Sequence, residues 1–102
     1  MQQNIYLIVN FNFPRPFQPE YGEKAKAHHQ ALIDQDWIEE VFAASGGIGC
    51  GPSSMWVFKM DGYASLDRLF NGSDPVSKAY VDFFRTMDDV QDIVREEVVF
   101  SG

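Results

Sequence analysis

Apolar residues recur at every second position from Ile5 onward: Ile5, Leu7, Val9, Phe11 and Phe13 share one side of a predicted strand over residues 4–13. Its other side carries Tyr6 and Ile8, then Asn10 and Asn12. A strand that is apolar on both faces needs both faces covered. A chain of 102 residues can build only about two covering helices, enough for one face of one sheet. The second face is therefore expected to meet a second copy of the chain, making the protein a homodimer joined through its sheet.

The pattern then changes period. Pro14 and Pro16 end the strand, and Pro19 opens a helix with Glu20 and Glu23 in its first turn. Tyr21, Ala25, His28 or His29, Leu32 and Ile33 keep helical spacing to about residue 34. Residues 37–46 fit two readings. Ile33, Trp37, Val41 and Ala44 would continue the helix, whereas Trp37, Ile38, Val41 and Phe42 suit a strand. The strand is taken, because a sheet needs enough members to be stable.

After the glycine-rich segment 46–51 a strand is predicted over 55–60, with Trp56, Phe58 and Met60 on one face. A short helix over 66–70, capped by Ser65, ends at Asn71-Gly72. Asp74-Pro75 opens a last helix, with Asp74 as its cap and a stripe of Val76, Ala79, Tyr80, Phe83, Phe84, Met87 and Val90. Phe83 or Phe84 is expected to anchor that helix. A closing strand is predicted over 94–100. The whole reads as one α+β domain over 1–102, in the order βαββαβ with a split second helix.

Composition sharpens this picture in two ways. Fifteen aromatic residues, nine of them Phe, are a heavy apolar load for this length and are expected to line an interface or a pocket. Fifteen acidic against eight basic residues give a net charge of −7, which disfavours nucleic acid and anionic membranes as partners. The single cysteine, Cys50, allows no intrachain disulfide. With no membrane-length apolar run or signal-like segment, the expected location is the cytoplasm.

The βαββαβ order is the ferredoxin-like arrangement. In this size range the chain resembles the dimeric α/β-barrel superfamily, in which two such sheets pack face to face. Residues 46–99 are similar to its NIPSNAP-like branch, through a glycine-bounded turn, the strand segment Met55-Trp56-Val57-Phe58, the helix segment Leu66-Asp67-Arg68-Leu69 and Asp74-Pro75. The resemblance implies a fold and a homodimer. It does not choose a chemistry, because relatives include antibiotic-biosynthesis and haem-degrading monooxygenases, muconolactone isomerases and stress-response proteins.

Candidate chemistry is sparse. The glycine cluster holds neither a G-x-G-x-x-G nor a P-loop pattern, and a strand follows it where a phosphate loop needs a helix, so it reads as a hairpin connection. His28 and His29 are the only histidines. Being adjacent on a helix, they diverge by about 100° and cannot share one metal, so no metal site is expected. One is expected to face the sheet, as packing or as a general base. Asn10 and Asn12 project together from the first strand, with Trp56 nearby. An asparagine with a tryptophan is similar to the haem-degrading relatives, but those also use a histidine from the second half of the fold, absent after His29. No cofactor is expected. Trp56, Phe58, Tyr80, Phe83 and Phe84 are the expected walls of a pocket for a small neutral or aromatic molecule. The alternative is a cofactor-independent, monooxygenase- or isomerase-like enzyme on small aromatic or polyketide-like substrates, with a histidine and Asn10 or Asn12 moving protons.

Overall fold

The computed structural model describes residues 4–100. Its elements are β1 (Ile5–Asn12), α1 (Pro19–Ile33), β2 (Glu40–Ser45), β3 (Ser54–Met60), α2 (Tyr63–Asn71), α3 (Pro75–Arg85) and β4 (Asp88–Glu96). The antiparallel sheet has the order β2-β3-β1-β4, so the two-faced first strand takes an inner place. Residues 40–45 are a strand, as the sheet argument requires, and Trp37 and Ile38 lie before it.

Ile5, Leu7, Val9 and Phe11 point to the helices and are 0–1% exposed. They pack with Trp56, Phe58 and Met60 of β3, Leu32 of α1, Leu69 of α2 and the Tyr80, Phe83 and Phe84 stripe of α3. The opposite face carries an apolar row running across all four strands: Phe42, Val57, Ile8 and Ile93 are successive register partners. Glu40, Lys59, Tyr6 and Arg95 form the next row. The shortest dimension of the molecule is 18 Å, room for the sheet and one helix layer, so this second face is uncovered within the chain.

The last strand departs from the sequence expectation. It spans Asp88–Glu96, and Val98, Val99 and Phe100 lie beyond it, exposed. Val90 therefore belongs to β4 and not to the helical stripe. α3 stops at Arg85, where the Thr86 hydroxyl donates to the Phe83 carbonyl at 2.7 Å. β1 needs a neighbour along its whole length, from Ile5 opposite Glu96 to Asn12 opposite Asp88, and that pairing draws residues 88–93 into the sheet. A register shift between Asn10 and Asn12 accompanies it, with Asp89 left-handed at φ 54°.

Two capping expectations also change. The short helix begins at Tyr63 after Gly62, and Ser65 lies inside it, donating to Asp61 Oδ1 at 2.9 Å. Asp74 stands at the N-cap position of α3 but makes no side-chain capping bond. Its carboxylate takes Arg68 Nε at 2.8 Å and Nη2 at 3.2 Å, which lowers its pKa, and the same guanidinium lies 4.4 Å from the Trp37 ring centroid. The junction is tight: a Cβ on Gly72 would collide with the Arg68 carbonyl oxygen. Asn is as good a cap as Asp but cannot form this ion pair. Asp74→Asn and Asp74→Ala are therefore expected to lower the melting temperature by equal, small amounts. Retention of wild-type stability by the Asn variant alone would restore the capping role.

Candidate functional site

His28 and Leu32 are one helical turn apart on the inward face of α1, which fixes the choice between the two histidines. The His28 imidazole lies roughly parallel to Phe83 (centroids 5.2 Å apart, 30°) and to Trp56 (5.8 Å, 27°), with Tyr80 6.2 Å away. Its Nε2 is buried and has no hydrogen-bond partner. Burial, and then the charge of neighbouring His29, push its pKa down from 6.5 to about 4, so the ring is neutral at physiological pH.

This imidazole lines a groove of about 550 Å³ between α1 and α3. Ala27 and Ala31 on α1 and Ala79 on α3 leave the space, Phe83 and His28 supply the aromatic surface, and Lys24, Asp82 and Thr86 bring polar groups. Such a combination, mostly apolar with a few polar groups, is the usual make-up of a small-molecule site. Ala79 belongs to the apolar stripe of the last helix, whereas Ala27 and Ala31 fall outside the expected pocket. The signal for these two is their i, i+4 spacing, which removes side-chain bulk from one stripe of α1.

The remaining expected site residues are distributed differently. Phe58, Tyr80 and Phe84 are core, with Tyr80 and Phe84 only 4.9 Å apart. Trp56 joins the core and also borders a second hollow, on the other side of α1, with His29. His29 meets the indole edge-on at 5.5 Å, and its Nε2 is likewise buried and unpartnered.

Asn10 and Asn12 lie on the uncovered face, away from His28. The register sets Val9 opposite Trp56 and Asn10 opposite Met55, so the asparagines and the tryptophan occupy opposite faces of the sheet. Asn12 is engaged locally. Its Oδ1 accepts from Ser53 N (2.9 Å) and Oγ (3.1 Å), and its Nδ2 donates to Asp89 (3.0 Å). It ties the start of β3 to the irregularity in β4. The histidine and asparagine expected to work together are thus separated by the sheet. The glycine segment forms the β2–β3 connection, with Gly46, Gly47 and Gly51 left-handed at φ 81°, 84° and 92°. Among the described residues, no three side chains of metal-ligating type come together, and no helix is long and apolar enough to cross a membrane.

No family model and no curated protein matches the chain. Solved structures do. A dimeric ferredoxin-like protein of unknown function from Thermobifida fusca superposes with a TM-score of 0.74 at 15% identity, over 95% of this chain and 93% of that one. A hydroxynitrile lyase from Passiflora edulis gives 0.74 at 12% identity, over the full length of both. A NIPSNAP family protein of unknown function from Agrobacterium tumefaciens gives 0.58 at 10%, over 98% of this chain and 92% of that one. At these identities the likeness is one of fold. The chain is a ferredoxin-like α+β domain, of the architecture shared by dimeric ferredoxin-like proteins and a NIPSNAP family protein.

Proposed function

We propose that the protein is a homodimer, joined through the uncovered sheet face, that binds a small neutral or aromatic molecule in the groove between α1 and α3. The observation that carries the binding role is the groove itself, in which three alanines leave space beside the aromatic surface of Phe83 and the neutral His28. A flat apolar ligand can stack there, against aromatic surface that carries no charge. The net charge of −7 favours neutral ligands over anions. A ligand at a hundredfold excess over its Kd stabilises the folded chain by about 2.7 kcal/mol. A thermal-shift series over small aromatics, short acyl compounds, nucleotides and divalent metals is expected to respond to the first two classes. The response should be lost in Ala27→Trp, which fills the groove. Stabilisation by nucleotides or metals alone would overturn the assignment.

The dimer rests on the row Phe42, Val57, Ile8 and Ile93, and on the dimeric character of the Thermobifida protein. Phe42 is 55% exposed in the single chain, so a charge there disturbs little of the core. Light scattering at micromolar concentration is expected to give a dimer for the wild type and a monomer for Phe42→Asp. A monomeric wild type would refute the interface.

The enzymatic alternative, a cofactor-independent monooxygenase- or isomerase-like activity, is favoured by the same imidazole, whose buried Nε2 has no hydrogen-bond partner in the protein and can accept a proton once a substrate reaches it. It stands on His28 without Asn10 or Asn12. His28→Phe separates the readings: ligand binding persists in both, whereas turnover ends only in the second.

A further inference from the structure

A separate hollow of about 290 Å³ lies between α2, α3 and β4. Phe70, Val81, Phe84 and Val90 make its apolar wall, and Tyr80, Arg85 and Asp92 bring functional groups to it. Asp92 is out of place by pattern: it stands on the helix-facing side of β4, opposite the fully buried Val9, where alternation calls for an apolar residue. Partial burial raises its pKa; burial, and to a smaller extent the charge of Asp92, raises that of the Tyr80 phenol on the same hollow. The ion pairs among the described residues are Lys59–Glu39 and Arg68–Asp74. Arg85 and Asp92 therefore border one hollow without closing on each other, leaving opposite charges available to something between them.

From this juxtaposition we infer that the hollow binds a free α-amino acid with an apolar side chain. Its ammonium group meets the Asp92 carboxylate, its carboxylate meets the Arg85 guanidinium and the Tyr80 hydroxyl, and its side chain lies on Phe70, Val81, Phe84 and Val90. A simple anion is repelled by Asp92 and by the net charge of −7, and a simple cation, though drawn by Asp92, leaves the Arg85 guanidinium unpaired. A zwitterion satisfies both. The volume lies at the low end for ligand pockets and suits a molecule of this size. The inference is independent of the groove beside His28.

An NMR titration of the full chain with L-leucine, isovalerate and isoamylamine tests it, since the last two each lack one of the charged groups. Leucine is expected to give saturable shifts at Val81 and Val90 and to bind at least about tenfold more tightly than either truncated compound, the scale of one charge-assisted hydrogen bond. Asp92→Asn and Arg85→Gln should each weaken leucine by a similar factor while leaving the remaining spectrum unchanged, because both residues are exposed at the rim of the hollow. Equal binding of the three compounds, absence of saturation with leucine, undiminished binding in both variants, or shifts centred on His28 would each overturn it.

Discussion

Replacing Phe84 by alanine is expected to lower the free energy of unfolding by about 3–5 kcal/mol, the range for deleting a buried aromatic ring. The ring lies 5.1 Å from Phe11, 5.5 Å from Trp56, 4.9 Å from Tyr80 and 5.0 Å from Phe83, so its loss opens a void bounded by four other rings. Those neighbours come from β1, β3 and α3 and cannot collapse together without moving the helix off the sheet. For a small domain with roughly 5–15 kcal/mol of stability, the effect is a large share of the total. Phe83→Ala is expected in the same range, because the two rings are equally buried and each borders one surface hollow. Ile48→Ala, at a fully exposed loop position, should change stability by less than about 0.5 kcal/mol. Denaturant melts of the three variants check the order, and a loss at Ile48 equal to that at Phe84 would contradict it.

Acidification is expected to destabilise the fold well before most carboxylates titrate. His28 is neutral in the folded chain down to about pH 4, while in the unfolded chain it gains a proton near pH 6.5. Between these values the unfolded state binds more protons, so stability is complete above pH 6.5 and is lost as the pH falls toward 4. The difference corresponds to roughly 3 kcal/mol. The charged and titratable groups around His28 are His29 on α1, Tyr80 across the core, and Lys24 and Asp82 along the groove. Asp92 works in the opposite sense: its raised pKa means that the folded chain holds this proton more tightly, offsetting part of the loss at the acid end. His28→Phe keeps the aromatic stack and removes the titration. Its stability should stay nearly flat from pH 7 to about 4.5, whereas the wild type declines. Parallel profiles for the two proteins would show that another group controls the acid response.

The parts of this fold that could be read from sequence are those set by local periodicity. β1 announced itself through Ile5, Leu7, Val9 and Phe11, and α3 through Val76, Tyr80, Phe83 and Phe84, because neighbours along one element impose those spacings. β4 departs from its local pattern because its position depends on a partner about eighty residues earlier. Val90 happens to extend the helical stripe, and the run Val98, Val99 and Phe100 has more strand character than the residues that β1 actually recruits. The candidate site divided along the same line. His28 and His29 are neighbours, and only the placement of α1 on the sheet turns one of them inward. Whether Trp56 shares a face with Asn10 or with Val9 is a matter of strand register, where a slip of one residue reverses every side chain. The groove depends on alanines facing one another from two helices, an arrangement that exists only after the chain has folded.

The β2–β3 loop makes the protein easy to address chemically. It carries the only cysteine of the chain, Cys50, in an exposed position, and Cβ atoms built on Gly46, Gly47, Gly49 and Gly51 would meet nothing within 4 Å. A thiol-specific spin label therefore attaches once per chain, at a tip that supports neither the core nor the hollows beside the helices. In an assembly of two copies, dipolar coupling between the paired nitroxides would measure one tip-to-tip separation. That distance distinguishes sheets stacked face against face from sheets joined along their edges, without a single substitution in the molecule.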